Sequence, residues 1–414
     1  MTGAAPADRA SDGSATRSAK GRAAPAAPFV ETVLGPVCAL DLGPTLVHEH
    51  LRIDLWPWFD APGPHATDAE RAVADLRVTR DPLVMERVRA DPFAVRDNLV
   101  LDDPVLAASE LARFAAAGGR TVVDLTLDEI GRDPGFLRDV ALRTGLNVVM
   151  GCGHYVGRAQ PTAVREASEE ALRDEIVRDL TEGVAVGPAP GGRLGSDASP
   201  APAGAGPAEA AMAAAGPAEA AMAAPPEPVR AGIIGEIGTS DPVDPREARV
   251  LRAACAAQRI TGRTLVVHLD PWGRAGHAVL DACASAGVDL DRVVLAHLDP
   301  SLPDSAYHRS LAARGAWVSY DIWGDEDAYG ARGMPTDDMR IAGVLVAHMD
   351  GWEDRLLVAQ DVCLKSQLRA YGGGGYDHLL VNMAPRLEAS GLDPLEVEAL
   401  LVDNPRRALT GTDL

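Results

Sequence analysis

Eight short apolar runs, each separated from the next by a longer stretch with helical periodicity, constrain this chain more than any other feature. They span residues 45–47, 121–125, 147–150, 231–237, 264–269, 293–298, 317–322 and 356–360. Most are continuous in Val, Ile and Leu rather than alternating, as parallel strands buried on both faces require. Helices are expected between them at 106–117, 134–143, 163–180, 245–259, 275–286, 306–314 and 337–348, with another at 394–401 after the last run. Regular strand–helix alternation predicts an α/β fold, a (β/α)8 TIM barrel. An open doubly wound sheet is the competing arrangement, but no G-x-G-x-x-G follows the first run to support a dinucleotide site.

The chain has 414 residues, 47% of them hydrophobic, which is enough for a sizeable core. Its formal charge of −21 argues against nucleic acid or an anionic membrane as partner. No apolar run approaches the roughly 18 residues of a membrane span. Residues 1–28 form an Ala/Pro-rich tail with no hydrophobic stretch of a secretory signal, and read as disordered. Residues 29–414 then form the barrel domain. Within it, 187–229 is a low-complexity insertion of mostly Ala, Gly and Pro, with one decapeptide present at 205–214 and again at 215–224. The five cysteines are scattered and form no CxxC pair, which fits a reduced, cytoplasmic setting.

The first run ends in His48-Glu49-His50. Strand side chains alternate faces, so the two imidazoles point one way and Glu49 the other. Alone, such a pair reads equally well as polar strand-end residues. The later runs carry Glu236 on the fourth, His268 ending the fifth, His297 near the end of the sixth and Asp361 after the eighth. All six lie at the strand ends where barrel active sites form. Four imidazoles and two carboxylates suit two divalent ions, with Zn²⁺ the expected metal, and Glu236 is the natural bridge.

Several ordered motifs resemble the phosphotriesterase family of the amidohydrolase superfamily. They include Glu31-Thr32-Val33-Leu34-Gly35-Pro36, Leu42-Gly43-Pro44-Thr45-Leu46-Val47-His48-Glu49-His50-Leu51, Gly118-Gly119-Arg120-Thr121, Gly131-Arg132-Asp133-Pro134, Gly235-Glu236-Ile237-Gly238-Thr239 and Gly375-Tyr376-Asp377-His378. The resemblance runs from about residue 31 to the end, outside the insertion. It implies a binuclear centre in which His48, His50 and Asp361 hold the more buried ion and His268 and His297 the more exposed one. A carboxylate and a hydroxide would bridge the two. Well-known members bridge with a carboxylated lysine on the fourth strand. This chain has only Lys20 and Lys365, so it is similar instead to the glutamate-bridged, phosphotriesterase-related branch. A homodimer is also implied by the resemblance.

The expected function is a metal-dependent hydrolase of a small molecule: a carboxylic ester, a lactone or an N-acyl amide. Attack would come from the bridging hydroxide, with Asp361 as acid/base. Phosphotriester hydrolysis is the alternative, and a non-catalytic metal-binding barrel the alternative of another class. Tyr155 is a candidate substrate contact. Lys365 and Arg369 are candidates for an anionic group, sharing a face if that segment is helical. His154 reads as structural and Trp323 as a pocket wall. The glycine-rich segment 362–386 reads as a mobile lid.

Overall fold

The computed structural model describes residues 28–187, 227–329 and 331–412. The eight strands are β1 (Thr45–Glu49), β2 (Thr121–Asp124), β3 (Asn147–Cys152), β4 (Ile233–Gly238), β5 (Leu265–His268), β6 (Val293–Leu295), β7 (Trp317–Tyr320) and β8 (Leu356–Val358). They form one sheet in sequence order with every neighbouring pair parallel. Between β8 and β1 the ring is completed past the strand ends. The Asp361 N–H donates to the His48 carbonyl at 3.1 Å. The Glu49 carboxylate, on the face opposite the histidines, accepts from the backbone N–H groups of Gln360 and Val362, each at 2.9 Å.

Burial on both strand faces follows from this closure. Val123, Val149, Ile233, Val266, Val294, Trp317 and Leu357 pack in the barrel interior, where Ala408 and Leu409 of the C-terminal helix Asn404–Thr410 join them. Their neighbours Val122, Val148, Ile234, Val267, Leu295, Val318 and Leu356 pack outward under the helices.

The helices are α1 (Pro104–Ala116), α2 (Pro134–Thr144), α3 (Glu169–Thr181), α4 (Pro245–Thr261), α5 (Gly276–Ser285), α6 (Ser305–Ala312) and α7 (Asp337–Asp350). Three start with Asp-Pro: Asp103, Asp133 and Asp244 each accept backbone N–H groups of the first turn, while the following Pro needs no partner. The helix expected over 163–180 is in fact two, Thr162–Glu166 and α3. Ala167 and Ser168 are extended between them, and Ser168 caps α3 through Ala171 N–H.

Two features lie outside the expected pattern. Between β1 and β2 the chain makes a long excursion, in which Ile53–Asp54 pairs antiparallel with Val100–Leu101 and short helices occupy Asp68–Ala74 and Pro82–Ala90. Where the insertion begins and ends, Val184 and Val229 exchange backbone hydrogen bonds of 2.8 and 2.9 Å, so the chain leaves and rejoins the barrel at one point. The repeated decapeptide and nearly all of the expected N-terminal tail lie outside the described residues.

Candidate metal centre

The six strand-end residues meet at the C-terminal mouth of the barrel. Ligand-type atoms of His48, His50 and Glu236 lie within 4.8 Å of one another, as do those of His48, His297 and Asp361, and those of Glu236, His268 and His297. Glu236 reaches both sides of the cluster. Its Oε1 is 3.5 Å from His50 Nε2, and its Oε2 is 3.0 Å from His268 Nδ1 and 3.1 Å from His297 Nε2. Asp361 Oδ1 lies 3.1 Å from His50 Nε2. Donors bound tetrahedrally at about 2.0–2.1 Å stand about 3.3 Å apart, so this spacing suits a shared ion.

The imidazoles are held from behind. Asp321, immediately after β7, receives His48 Nδ1 at 3.0 Å on one oxygen and His297 Nδ1 at 3.1 Å on the other. Its Oδ1 also accepts the backbone N–H of His297. Thr126 Oγ1 bonds His50 Nδ1 at 2.9 Å. These contacts direct the Nε2 lone pairs of His48, His50 and His297 toward Glu236 and Asp361, the usual arrangement behind metal-binding histidines. Asp321 was not singled out in the sequence, although it stands at a strand end like the others; its signal was its position alone.

Two observations test whether the site fits a cation. His48 Nε2 is buried and has no hydrogen-bond partner, an expense that a metal bond removes. The electrostatics agree. Burial works against a proton on His297, yet Asp321 and Glu236 outweigh it and lift the group to about 10. Burial likewise opposes a proton on His50, which Asp361 and Glu236 raise to about 9. Burial would push Glu236 up, but His48 and His268 hold its carboxyl well below the usual range. The carboxylates thus draw positive charge to the Nε2 atoms, whether a proton or a metal ion.

Above the cluster opens a cavity of about 570 Å³. Trp58 and Phe93 of the β1–β2 excursion, Tyr155, Trp272 and Tyr329 form an aromatic cuff around it. Ring centroids run 5.3 Å from Trp58 to Tyr155 and 4.9 Å from Tyr155 to His268. The Tyr155 hydroxyl is 3.2 Å from His268 Nδ1, so this residue is at the cavity as expected.

Lys365 and Arg369 are not among the residues that line this cavity. Lys365 Nζ pairs with Asp97 at 2.8 Å, and Arg369 Nε with Asp377 at 2.6 Å. The segment is a pair of short 3₁₀ turns, Lys365–Gln367 and Arg369–Tyr371, so the two side chains share no α-helical face. Arg369 faces a separate surface cleft with Arg80, Arg89 and Arg113. Trp323 is buried beneath the wall, which its neighbour Ile322 lines instead. His154 bonds Glu129 at 2.7 Å, away from the cluster.

The segment 362–386 is fastened rather than mobile. Leu364, Leu368 and Tyr376 are buried, the Tyr376 hydroxyl donates to the His50 carbonyl at 2.8 Å, and the Gln360 amide spans Gly375 O and Leu379 N. Its glycines serve packing: a Cβ on Gly373 would stand 2.2 Å from the Gln367 carbonyl.

Residues 28–226 and 223–409 match the model of the phosphotriesterase family. The chain belongs to this family. It is 31% identical over 389 residues to the N-acetyltaurine hydrolase of Tetraodon nigroviridis, covering 92% of this chain and 97% of that one. Among solved structures it resembles a resiniferatoxin-binding protein from Rhodobacter sphaeroides, with a TM-score of 0.78, 35% identity, and coverage of 92% of this chain and 95% of that one. The phosphotriesterase homology protein from Escherichia coli, complexed with phosphate in its active site, matches with a TM-score of 0.65 and 26% identity over 89% of this chain and 98% of that one. As a phosphotriesterase-family protein, the chain is a metal-dependent hydrolase on a (β/α)8 barrel, and the non-catalytic alternative falls away.

Proposed function

We propose that the protein hydrolyses the N-acyl amide bond of a small molecule, using two divalent ions, Zn²⁺ foremost. His48, His50 and Asp361 would hold one ion, His268 and His297 the other, and Glu236 would bridge them. The observation that carries the centre is the buried, partnerless His48 Nε2 among carboxylates that favour a cation. The choice of an amide over a phosphotriester is supported by relatives at about 30% identity, named N-acetyltaurine hydrolases, that align along 92% of this chain.

When bound, such ions lower the pKa of water toward about 7 and polarise the acyl oxygen. The chain's own residues do the rest. Asp361 is partly exposed to the cavity while touching His50. Its carboxylate can take a proton from water as the C–O bond forms, then deliver it to the amide nitrogen as the C–N bond breaks. The aromatic cuff holds the substrate and limits bulk water at the reacting carbon.

The test is metal analysis of the purified protein together with turnover of N-acyl amides, lactones, aryl esters and a phosphotriester. About two metals per chain and amide turnover are expected. Turnover of a phosphotriester with no amide hydrolysis would overturn the substrate assignment. Reconstitution of the metal-free protein with Zn²⁺, Mn²⁺ or Co²⁺ tests the metal.

A further inference from the structure

The cavity has a cationic pole apart from its imidazole and carboxylate floor. Arg158 lies on the loop after β3 and Arg246 in the first turn of α4. One contact draws these segments together: the Gly157 N–H donates to Glu247 Oε1 at 2.8 Å. Arg158 and Arg246 are the chain neighbours of that bonded pair, and both line the cavity. Both are exposed, and among the described residues neither guanidinium has an ion-pair partner. That is unexpected in a chain with 60 acidic residues against 39 basic ones.

The acidic side chains along the cavity are engaged elsewhere. Glu247 Oε2 accepts from Ser240 and Asp244, the Asp244 carboxylate caps α4, Asp270 accepts Trp272 N–H, and Asp325 takes the Tyr329 hydroxyl and the Gln367 amide. A third donor lacks a partner: Trp272 lines the cavity, and its Nε1 is buried with no hydrogen-bond partner. Arg158 also lies 5.6 Å over the Trp58 ring, whose aromatic contacts lead through Tyr155 to His268. One wall therefore joins the guanidinium to the reacting centre.

We infer that Arg158, Arg246 and the Trp272 N–H form an anion subsite that grips a carboxylate or sulfonate on the amine half of the substrate. A guanidinium presents a planar fork of donors that matches either group. The subsite makes the enzyme selective for anionic over neutral N-acyl amides, and as a statement about substrate it rests on the amide reading above.

The experiment compares the metal-loaded wild type with R158Q, R246Q, the double variant and the corresponding lysine variants. Substrates are N-acetyltaurine, N-acetyl-β-alanine and neutral N-acetylpropylamine. The double variant is expected to raise KM for both anions at least 10-fold while kcat/KM for the neutral amide stays within twofold, with lysine restoring part of the loss. Equal changes for charged and neutral substrates, or none, would overturn the subsite. Calorimetric binding of ethanesulfonate and propionate forms a second arm, with affinity expected to fall in the double variant. Should the wild type cleave no acyl amide, the amide reading fails by itself. The binding arm still decides the subsite: weaker binding in the double variant supports it, and equal binding rejects it. Which anion binds separates sulfonate from carboxylate.

Discussion

At the residue scale, the centre is defined as much by what stands behind the metal-type side chains as by those side chains. Asp321 holds two imidazoles from different strands through its two oxygens. In D321N one oxygen becomes an amide N–H, so one histidine loses its acceptor. Metal affinity, read by chelator competition, should fall about 10–100-fold while the fold persists; unchanged affinity would mean that the imidazoles are oriented by packing alone. D361N keeps the shape of Asp361 but removes its ability to take a proton, so kcat should fall by about 10²-fold or more. Thermal unfolding should move little, because this side chain is partly exposed. Full turnover in a folded, metal-loaded D361N would exclude the proton role. His297 and Asp361 also have left-handed backbone, with φ of 59° and 47°. In a non-glycine residue this costs about 1–2 kcal/mol, and their hydrogen-bonded surroundings hold it.

At the scale of elements, closure of the ring and the packing of helix on strand carry separate predictions. Glu49 spans the β8–β1 seam through two backbone bonds. In E49A those two buried N–H groups lose their acceptor, at about 1–3 kcal/mol each, so urea unfolding should show a loss of several kcal/mol. A loss below about 1 kcal/mol would show that water takes over the seam. One strand over from that seam, His308 of α6 is buried between Ser301 Oγ at 2.6 Å and the Tyr320 hydroxyl of β7 at 2.7 Å. Burial first, then Arg274, pulls its pKa down to about 4. The unfolded chain binds this proton near pH 6.5 and the folded one only near 4, so stability is lost as pH falls through that window. By pH 5 the loss is about 2 kcal/mol. In H308Q the stability difference between pH 7 and pH 5 should shrink by that amount; an unchanged difference would assign the acid sensitivity to other groups.

For the whole molecule, the pairing of Val184 with Val229 separates the barrel from the low-complexity segment. Replacing residues 188–226 with a short Gly/Ser linker should leave kcat/KM within twofold and the unfolding midpoint within a few degrees. A collapse of either would give the segment a structural or catalytic part. No helix among the described residues is long and apolar enough to cross a membrane.

The strand positions were legible because a closed parallel barrel buries both faces of every strand, which leaves continuous apolar runs in the sequence. The six metal-type residues were legible because they end those runs, and strand alternation sets the direction of His48 and His50. Other parts depended on contacts between distant segments, which no local pattern records. Lys365, scarce and close to Asp361 in sequence, is claimed by Asp97 more than 250 residues earlier. The glycines near 373 read as mobility until close packing against Gln367 accounted for them. Asp321, the aromatic cuff and the paired segments bearing Arg158 and Arg246 acquire their roles only when loops from several strands meet at one mouth. Local periodicity and strand-end chemistry thus determined the barrel and the metal-type residues from sequence alone. Tertiary structure decided the orientation of the imidazoles, the closure of the ring and the walls of the cavity, because each depends on side chains brought together across the fold.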